Sequence, residues 1–156
     1  MSFKITAAVV DTSALICIAK SESAAQFFLA ELSKVERLYI SAATYAELIL
    51  ATISLQAPGA VDAMAKLLLA LEVQTVDFGA QDIVGYRVAA MSYHLKAKPP
   101  GLLNMGDVFA FQLATTMDVP LFFQGKDFLT KPVKNAMQLL GYEMNEHNLG
   151  VPSLPR

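Results

Sequence analysis

The chain has 156 residues, of which 54% are hydrophobic and 17% are charged. This length suits one domain with a sizeable core, and the composition excludes a disordered chain. A formal net charge of -2 gives no global electrostatic reason to bind nucleic acid. Cys17 is the single cysteine, which excludes an internal disulfide framework and a cysteine-based zinc site.

No segment has the pattern of an export signal or of a membrane span. The apolar run ITAAVV ends at Asp11 and is too short for a signal peptide. The longest uncharged stretch, LILATISLQAPGAV, is too short and too polar to cross a bilayer. We therefore expect a cytoplasmic protein with no membrane attachment.

Short apolar runs alternate with helical patterns along the chain. Four runs are typical of buried strands, and they are ITAAVV (5–10), RLYIS (37–41), VQTV (73–76) and PLFF (120–123). Helical patterns cover residues 11–20, 22–35, 42–55, 60–72, 78–97, 105–118 and 131–141. Strands that alternate with helices favour a parallel sheet. The sequence therefore predicts an α/β protein, a three-layer α/β/α domain with a mostly parallel sheet of four or five strands.

Boundary residues agree with this division. Four polar residues stand where a helix cap is expected, and they are Ser21, Ser41, Asp77 and Asn104. Gly141 is placed to end the last helix. The following YEM is predicted to be a short edge strand. We expect one domain over residues 1–145 and an irregular C-terminal tail over residues 146–156.

Four acidic residues stand at the edges of apolar elements. They are Asp11, Glu47, Asp107 and Asp127. Asp11 directly follows the first strand run, and Asp127 comes shortly after the fourth. Glu47 and Asp107 are the only charged residues in the stretches 39–61 and 99–117. Ligands bind at the carboxyl ends of parallel strands, so these acids are candidates for one oxygen-only site, which suits Mg²⁺ or Mn²⁺.

Each acid also has a purely structural interpretation. Asp11 can be a helix N-cap, Asp107 can form a capping box with Asn104, and Asp127 can be a turn residue. Glu47 has the weakest such interpretation, because it lies past the first helical turn and does not favour the helix dipole. Taken singly, these interpretations stay open beside the functional one.

The order of four motifs resembles the PIN domain, and more closely the VapC-type ribonuclease toxins of bacterial toxin–antitoxin pairs. The motifs are VVDTSAL, SAATYAEL, LLNMGDVFAFQLA and LFFQGKDF. The resemblance implies a divalent-metal nuclease that cuts RNA, with Mg²⁺ or Mn²⁺ as cofactor. Its catalytic and metal-binding acids fall on Asp11, Glu47, Asp107 and Asp127, and its supporting hydroxyl falls on Thr12 or Ser13. After Phe128 the chain lacks the TDI-like ending typical of relatives, and the fourth acid varies within the family.

RNA binding would depend on local positive charge. Residues 83–142 carry six basic and three acidic residues, although the whole chain is acidic. We expect Lys96, Lys98 and Lys126 to contact RNA phosphates near the metal. The alternative is that these lysines are simply solvated at helix ends and in loops.

The resemblance also implies partners. VapC-like proteins are typically homodimers that receive an antitoxin segment near the acidic pocket. The segments SESAAQFFLAEL and AVDAMAKLLLAL carry more apolar surface than a thin sheet can cover. We therefore expect a homodimer and a small antitoxin protein as partner.

Other classes fit the sequence less well. A haloacid-dehalogenase-type phosphatase needs a second Asp where this chain has Ser13. A two-component receiver domain needs an acid pair near its first strand, and a dinucleotide-binding domain needs a glycine-rich turn there. The alternative that remains is a non-catalytic PIN module that binds RNA or a protein partner.

Overall fold

The computed structural model describes residues 3–95, 104–129, 131–145 and 150–155. Four strands form a wholly parallel sheet in the order β3-β2-β1-β4. Their bounds are β1 Ala7–Val10, β2 Arg37–Ser41, β3 Gln74–Val76 and β4 Leu121–Phe122. Strand β1 is an inner strand, and residues of it pack in both core clusters. Cover on both faces explains its continuous run of apolar residues.

Seven helices accompany these strands in the described part of the chain. They are α1 Thr12–Ala19, α2 Ala25–Leu32, α3 Ala42–Ser54, α4 Ala60–Ala70, α5 Ile83–Leu95, α6 Met105–Met117 and α7 Ala136–Leu139. None of the described helices has the length and apolar character needed to cross a bilayer.

Two apolar cores lie on the two faces of the sheet. On one face, Val10 of β1 packs in a cluster with Leu15 of α1 and Phe28 of α2. On the other face, Val9 of β1 packs in a cluster with Val108 and Phe111 of α6. Successive strand residues point to opposite faces, so neighbours such as Val9 and Val10 enter different cores. The predicted three-layer α/β/α arrangement and the four-stranded parallel sheet are confirmed.

Two of the predicted helix starts are wrong. Helix α2 begins after Ala24 and not after Ser21, because Ser21 adopts a left-handed backbone conformation with φ 51°. Asp77 does not cap the long helix. The chain first makes a short 3-10 turn, Ala80–Asp82, in which the carboxylate of Asp82 accepts the N–H of Gly79 at 2.8 Å.

Of the other predicted boundaries, two agree with the structure in position and one does not. Ser41 occupies the N-cap position of α3, although its side chain makes no capping hydrogen bond. Asn104 caps α6 as predicted, since its Oδ1 accepts the N–H of Gly106 at 3.0 Å. The last helix is much shorter than predicted, and Asn135 caps it by accepting the N–H of Gln138 at 3.2 Å.

The C-terminal segment predicted to be irregular contains a strand. Strand β5, Glu143–Asn145, pairs antiparallel with β6, Val151–Ser153, in a separate two-stranded sheet. The predicted strand near residues 142–144 therefore exists, but it does not extend the main sheet. Gly150 opens β6 with φ +66°, and its N–H donates to the carbonyl of Asn145 at 2.8 Å.

Gly150 also fixes the C-terminal hairpin against the chain that follows β4. A Cβ atom added at Gly150 would collide with the backbone carbonyl of Gly125. We expect Gly150→Ala to lower the free energy of unfolding by roughly 2–3 kcal/mol, because it combines left-handed strain with a backbone clash. Gly59→Ala is the matched control, since Gly59 has φ +74° but no atom within 4 Å of the added carbon. Chemical denaturation should show the smaller loss, about 1 kcal/mol, for the control. Equal losses would contradict a tight contact at Gly150.

Candidate active site

Asp11 lies at the carboxyl end of β1 and caps α1. Its carboxylate Oδ2 accepts both the backbone N–H of Ser13, at 3.0 Å, and the Ser13 hydroxyl, at 2.6 Å. Its own N–H donates to the carbonyl of Phe122 in β4 at 2.9 Å. Asp11 is almost fully buried, with 3% of its surface exposed. The capping interpretation is therefore confirmed, and both capping bonds use the same carboxylate oxygen.

The Ser13 hydroxyl is itself held in place. It accepts the backbone N–H of Gln124 at 3.0 Å, which orients its hydrogen toward Asp11. The Gln124 side-chain amide donates to Glu22 Oε2 at 2.9 Å. Glu22 also pairs with Lys20 at 2.9 Å. A chain of polar contacts thus joins the α1–α2 connection to the segment after β4 and passes beside Asp11.

Glu47 reaches the same region from α3. Its Oε2 accepts the hydroxyl of Thr12 at 3.3 Å. Both carboxylate oxygens of Glu47 lie against Gly106, where an added Cβ would collide with them. Because Gly106 precedes Asp107 in the first turn of α6, the missing side chain allows the carboxylate of Glu47 to approach this turn closely.

Asp107 is the acid on which the negative charges of the other three acids act. Its pKa is raised from 3.8 to about 7, first by burial and then by the negative charges of Asp11, Asp127 and Glu47. Burial is also the main reason why the pKa of Asp11 is raised from 3.8 to about 6. The Ser13 hydrogen bonds lower that pKa, and the charge of Glu47 raises it further.

The four acids do not form a complete metal-binding site in their present positions. In the described part of the chain, no three His, Cys, Asp or Glu side chains are arranged to hold one ion as they stand. Asp127 is solvent-exposed and lies in a turn, whereas Glu47 and Asp107 are half-buried. Negative charge from the other three acids nevertheless acts on Asp107, beside the larger effect of its burial.

The predicted RNA-contacting lysines are only partly described. Lys126 is exposed beside Asp127. Lys96 and Lys98 lie outside the described residues. Sequence reasoning missed Lys131, which is half-buried and acts electrostatically on Asp107, and it missed Gln124, which positions Ser13. The one feature of the sequence that could have drawn attention to Lys131 is its position after Phe128, where the chain departs from the motif pattern of the family it resembles.

Known proteins resemble this chain in sequence and in fold. The family model described as PIN domain matches residues 8–134. A VapC ribonuclease of Mycobacterium bovis is 31% identical over 133 residues, which cover 82% of this chain and 98% of that protein. The crystal structure of VapC20 of Mycobacterium tuberculosis, a sarcin-ricin loop cleaving toxin, superposes with a TM-score of 0.63 at 17% identity, covering 81% of this chain and 95% of that one. VapBC2 of Rickettsia felis, bound to a promoter DNA fragment, superposes with a TM-score of 0.62 at 16% identity, covering 83% and 96%.

The raised pKa values of Asp11 and Asp107 predict a dependence of stability on pH. Both groups hold a proton in the folded protein at pH values where the unfolded chain has released it, between about pH 4 and 7. The free energy of unfolding should therefore fall as the pH rises through this window. At pH 8 in chelator, we expect Asp107→Asn to raise it by at least about 1 kcal/mol, after allowance for partial exposure. The gain should shrink at pH 4.5.

Denaturant titrations at the two pH values measure this difference. Asp118→Asn is the control, because Asp118 is exposed and pairs with Lys134 at the surface. It should change stability by less than about 0.5 kcal/mol at either pH. A gain from Asp107→Asn that is the same at pH 4.5 and pH 8 would show that charge repulsion is not its cause.

Proposed function

This chain belongs to the PIN-domain family and within it to the VapC ribonucleases, and we propose that it hydrolyses RNA at Asp11, Glu47, Asp107 and Asp127. The observation that carries the proposal is the raised pKa of Asp107, which burial raises first and which the negative charges of Asp11, Asp127 and Glu47, from three separate segments, raise further. A buried carboxyl group that is close to like charges lowers stability, and such arrangements concentrate at functional sites.

The donor chemistry of this cluster fits a divalent cation. VapC ribonucleases with a PIN domain are generally dependent on divalent metal ions. Carboxylate oxygens are the ligands that Mg²⁺ and Mn²⁺ prefer, and a divalent charge would offset the repulsion at Asp107. Because no three of the described groups are arranged around one point, ion binding would require these side chains to move inward. Gly106 already lets the Glu47 carboxylate lie against the first turn of α6, next to Asp107 in the chain.

The chain's own residues hold the site and exclude water from part of it. Ser13 keeps Oδ2 of Asp11 engaged, and burial of Asp11 strengthens its interaction with a nearby cation. Thr12 steadies Glu47 from the first turn of α1. A bound divalent ion would neutralise the anionic phosphodiester, activate a water molecule and stabilise the leaving oxygen.

RNA would approach from the side on which Asp127 is exposed. Lys126 is adjacent to Asp127 and open to solvent, so we propose it as a phosphate contact, together with Lys96 and Lys98. Such contacts position the RNA without reading its sequence. We propose that the protein does this in the cytoplasm.

Loss of the first acid should abolish cleavage. Asp11→Asn keeps the shape of the side chain but removes one negative charge, so we expect at least roughly 100-fold slower cleavage of a labelled RNA with Mg²⁺ or Mn²⁺. Asp107→Asn should have a similar effect, and Asp127→Asn a smaller one because Asp127 is exposed at the rim. Asp118→Asn serves again as the control and should cut at the wild-type rate.

The same assay distinguishes a nuclease from a non-catalytic RNA-binding module. Wild-type protein that binds the RNA but leaves it intact in both metals would favour the module. Cleavage that persists in chelator, or in Asp11→Asn, would contradict the metal-nuclease proposal.

We also propose that the protein forms a homodimer through exposed apolar side chains of α5. Val84, Val88 and Met91 are 72%, 62% and 52% exposed, and together with Ile83 they occupy one side of this helix. The two apolar segments that the sequence analysis singled out, 21–32 and 60–71, expose fewer large apolar side chains than α5 does, although Leu69 of α4 is 78% exposed.

A charge in the α5 stripe should prevent dimerisation. We expect light scattering at micromolar concentration to give a dimer for the wild type and a monomer for Val84→Asp. Leu69→Asp is the control, and it should remain dimeric because it lies on another helix. A monomeric wild type would refute the dimer, and a dimer that survives Val84→Asp would place the interface elsewhere.

A second proposed partner is a small antitoxin. The Rickettsia relative is a VapBC pair, and a basic side chain from such a partner would find an acidic cluster at Asp107. Failure of any small protein encoded beside this chain to bind it would count against this partner.

A further inference from the structure

Three aromatic rings form a cluster beside the start of α6. Phe78 follows β3, Tyr86 belongs to α5 and Phe109 belongs to α6. The ring of Phe109 lies 4.8 Å from that of Phe78, edge to face, and 4.8 Å from that of Tyr86. All three residues are partly exposed, and among the described residues neither apolar core includes Phe78 or Phe109. The aromatic cluster therefore presents ring surface to solvent.

Hydrogen bonds in the backbone hold the aromatic cluster in position. Directly after Phe78, the carboxylate of Asp82 accepts the N–H of Gly79 at 2.8 Å, and the N–H of Asp82 donates to the carbonyl of Gly79 at 3.0 Å. The Tyr86 hydroxyl donates to the carbonyl of Met105 at 3.4 Å, which ties its ring to the start of α6. The rings are thus arranged in advance, which reduces the entropy that a ligand loses on binding.

The first turn of α6 connects the aromatic cluster to the proposed active site. The carboxylate of Glu47 lies against Gly106 in this turn. The residue before it is Met105, which receives the Tyr86 hydroxyl. The same turn of helix therefore contacts the aromatic cluster and one of the four acids.

The register of the sheet brings Phe78 close to the level of Asp11. Tyr39 of β2 pairs with Val9 of β1 and with Gln74 of β3. Asp11 and the last residue of β3 each come two positions after these partners, so they are level with each other, and Phe78 follows two positions later. Neighbouring strands are about 4.8 Å apart, so two strand spacings are roughly 10 Å. A few nucleotides of RNA can span that distance.

We propose that the aromatic cluster is a stacking platform for one unpaired base of the RNA substrate. This proposal deepens the proposed function and rests on it. Proteins that recognise single-stranded RNA stack unpaired bases on aromatic side chains, and every base has a π face that can stack in this way. A base held on the cluster positions a nearby phosphodiester at the acids. The platform accepts any base and selects unpaired nucleotides over those in a duplex.

The platform does not compete with the proposed dimer stripe of α5. Tyr86 follows Val84 by two residues, and two residues turn an α-helix by about 200°. Tyr86 therefore lies on the side of α5 away from Val84. A dimer formed through the stripe leaves the rings accessible to RNA.

Binding of a short single-stranded RNA in chelator tests the platform without cleavage. Phe78→Leu keeps an apolar side chain but removes the ring, so we expect roughly 5- to 20-fold weaker binding, whereas Phe78→Trp should bind like the wild type. Phe27→Leu is the matched control, because it removes a partly exposed ring that packs 5.6 Å from that of Tyr142, and it should bind like the wild type. Thermal melts check that each variant is folded. Equal affinities of Phe78→Leu and wild type, or a wild type that binds no RNA, would overturn the platform.

An abasic nucleotide, moved along the same RNA, identifies the stacked base. At one position it should weaken binding to the wild type, and Phe78→Leu should cause little further loss there. Losses that simply add at every position would overturn the platform, as expected if the rings serve a protein partner or the fold alone. Coupling without cleavage in Mg²⁺ or Mn²⁺ would keep the platform and contradict the nuclease. Cleavage without coupling would keep the nuclease and contradict the platform.

Discussion

Repulsion among carboxylates gathered at one end of a parallel sheet is the constraint that organises this molecule. Burying an ionised group is costly unless hydrogen bonds or an opposite charge compensate it. Asp11 receives hydrogen bonds from Ser13, whereas burial and, after it, the charges of three other acids raise the pKa of Asp107 to about 7. The acidic cluster therefore lowers the stability of the folded protein. The two apolar cores on either side of the sheet offset this loss.

The elements around the cluster each hold one part of it. The central strand β1 delivers Asp11 and ties it to β4 through the carbonyl of Phe122. Gly106 of α6 allows Glu47 to approach, so a glycine that carries no chemistry decides where a carboxylate can lie. The C-terminal hairpin rests on Gly125 through Gly150, which connects the end of the chain to the segment that carries Asp127. A change far from the acids can thus disturb their spacing.

The sequence predicted the parts of this structure that depend on local pattern. The runs around Val9 and Phe122 are apolar because both faces of the sheet are covered, and so they could be recognised without the fold. The acids could be singled out because they interrupt apolar stretches. Their direct coordination of a metal ion stays a prediction, since the described side chains are not arranged around one point.

Features that depend on contacts between distant segments could not be predicted. Strand β6 exists through its pairing with β5, and nothing in VPS alone indicates a strand. Ser21 has the right chemistry for a cap, but its left-handed backbone excludes that role. The turns after Asp127 redirect the chain through backbone hydrogen bonds such as that from Lys131 to Phe128, and such turns have no periodic signal in the sequence.

The most direct test of this account is a crystal structure of the protein soaked in Mn²⁺, with anomalous scattering recorded at the manganese edge. The account predicts an anomalous peak among the carboxylates of Asp11, Glu47 and Asp107, with these side chains drawn toward it. Asp11→Asn crystals treated in the same way should lose or weaken that peak. Saturating Mn²⁺ that leaves these carboxylates where they stand, with no peak between them, would contradict the claim that this repulsive cluster is a metal site.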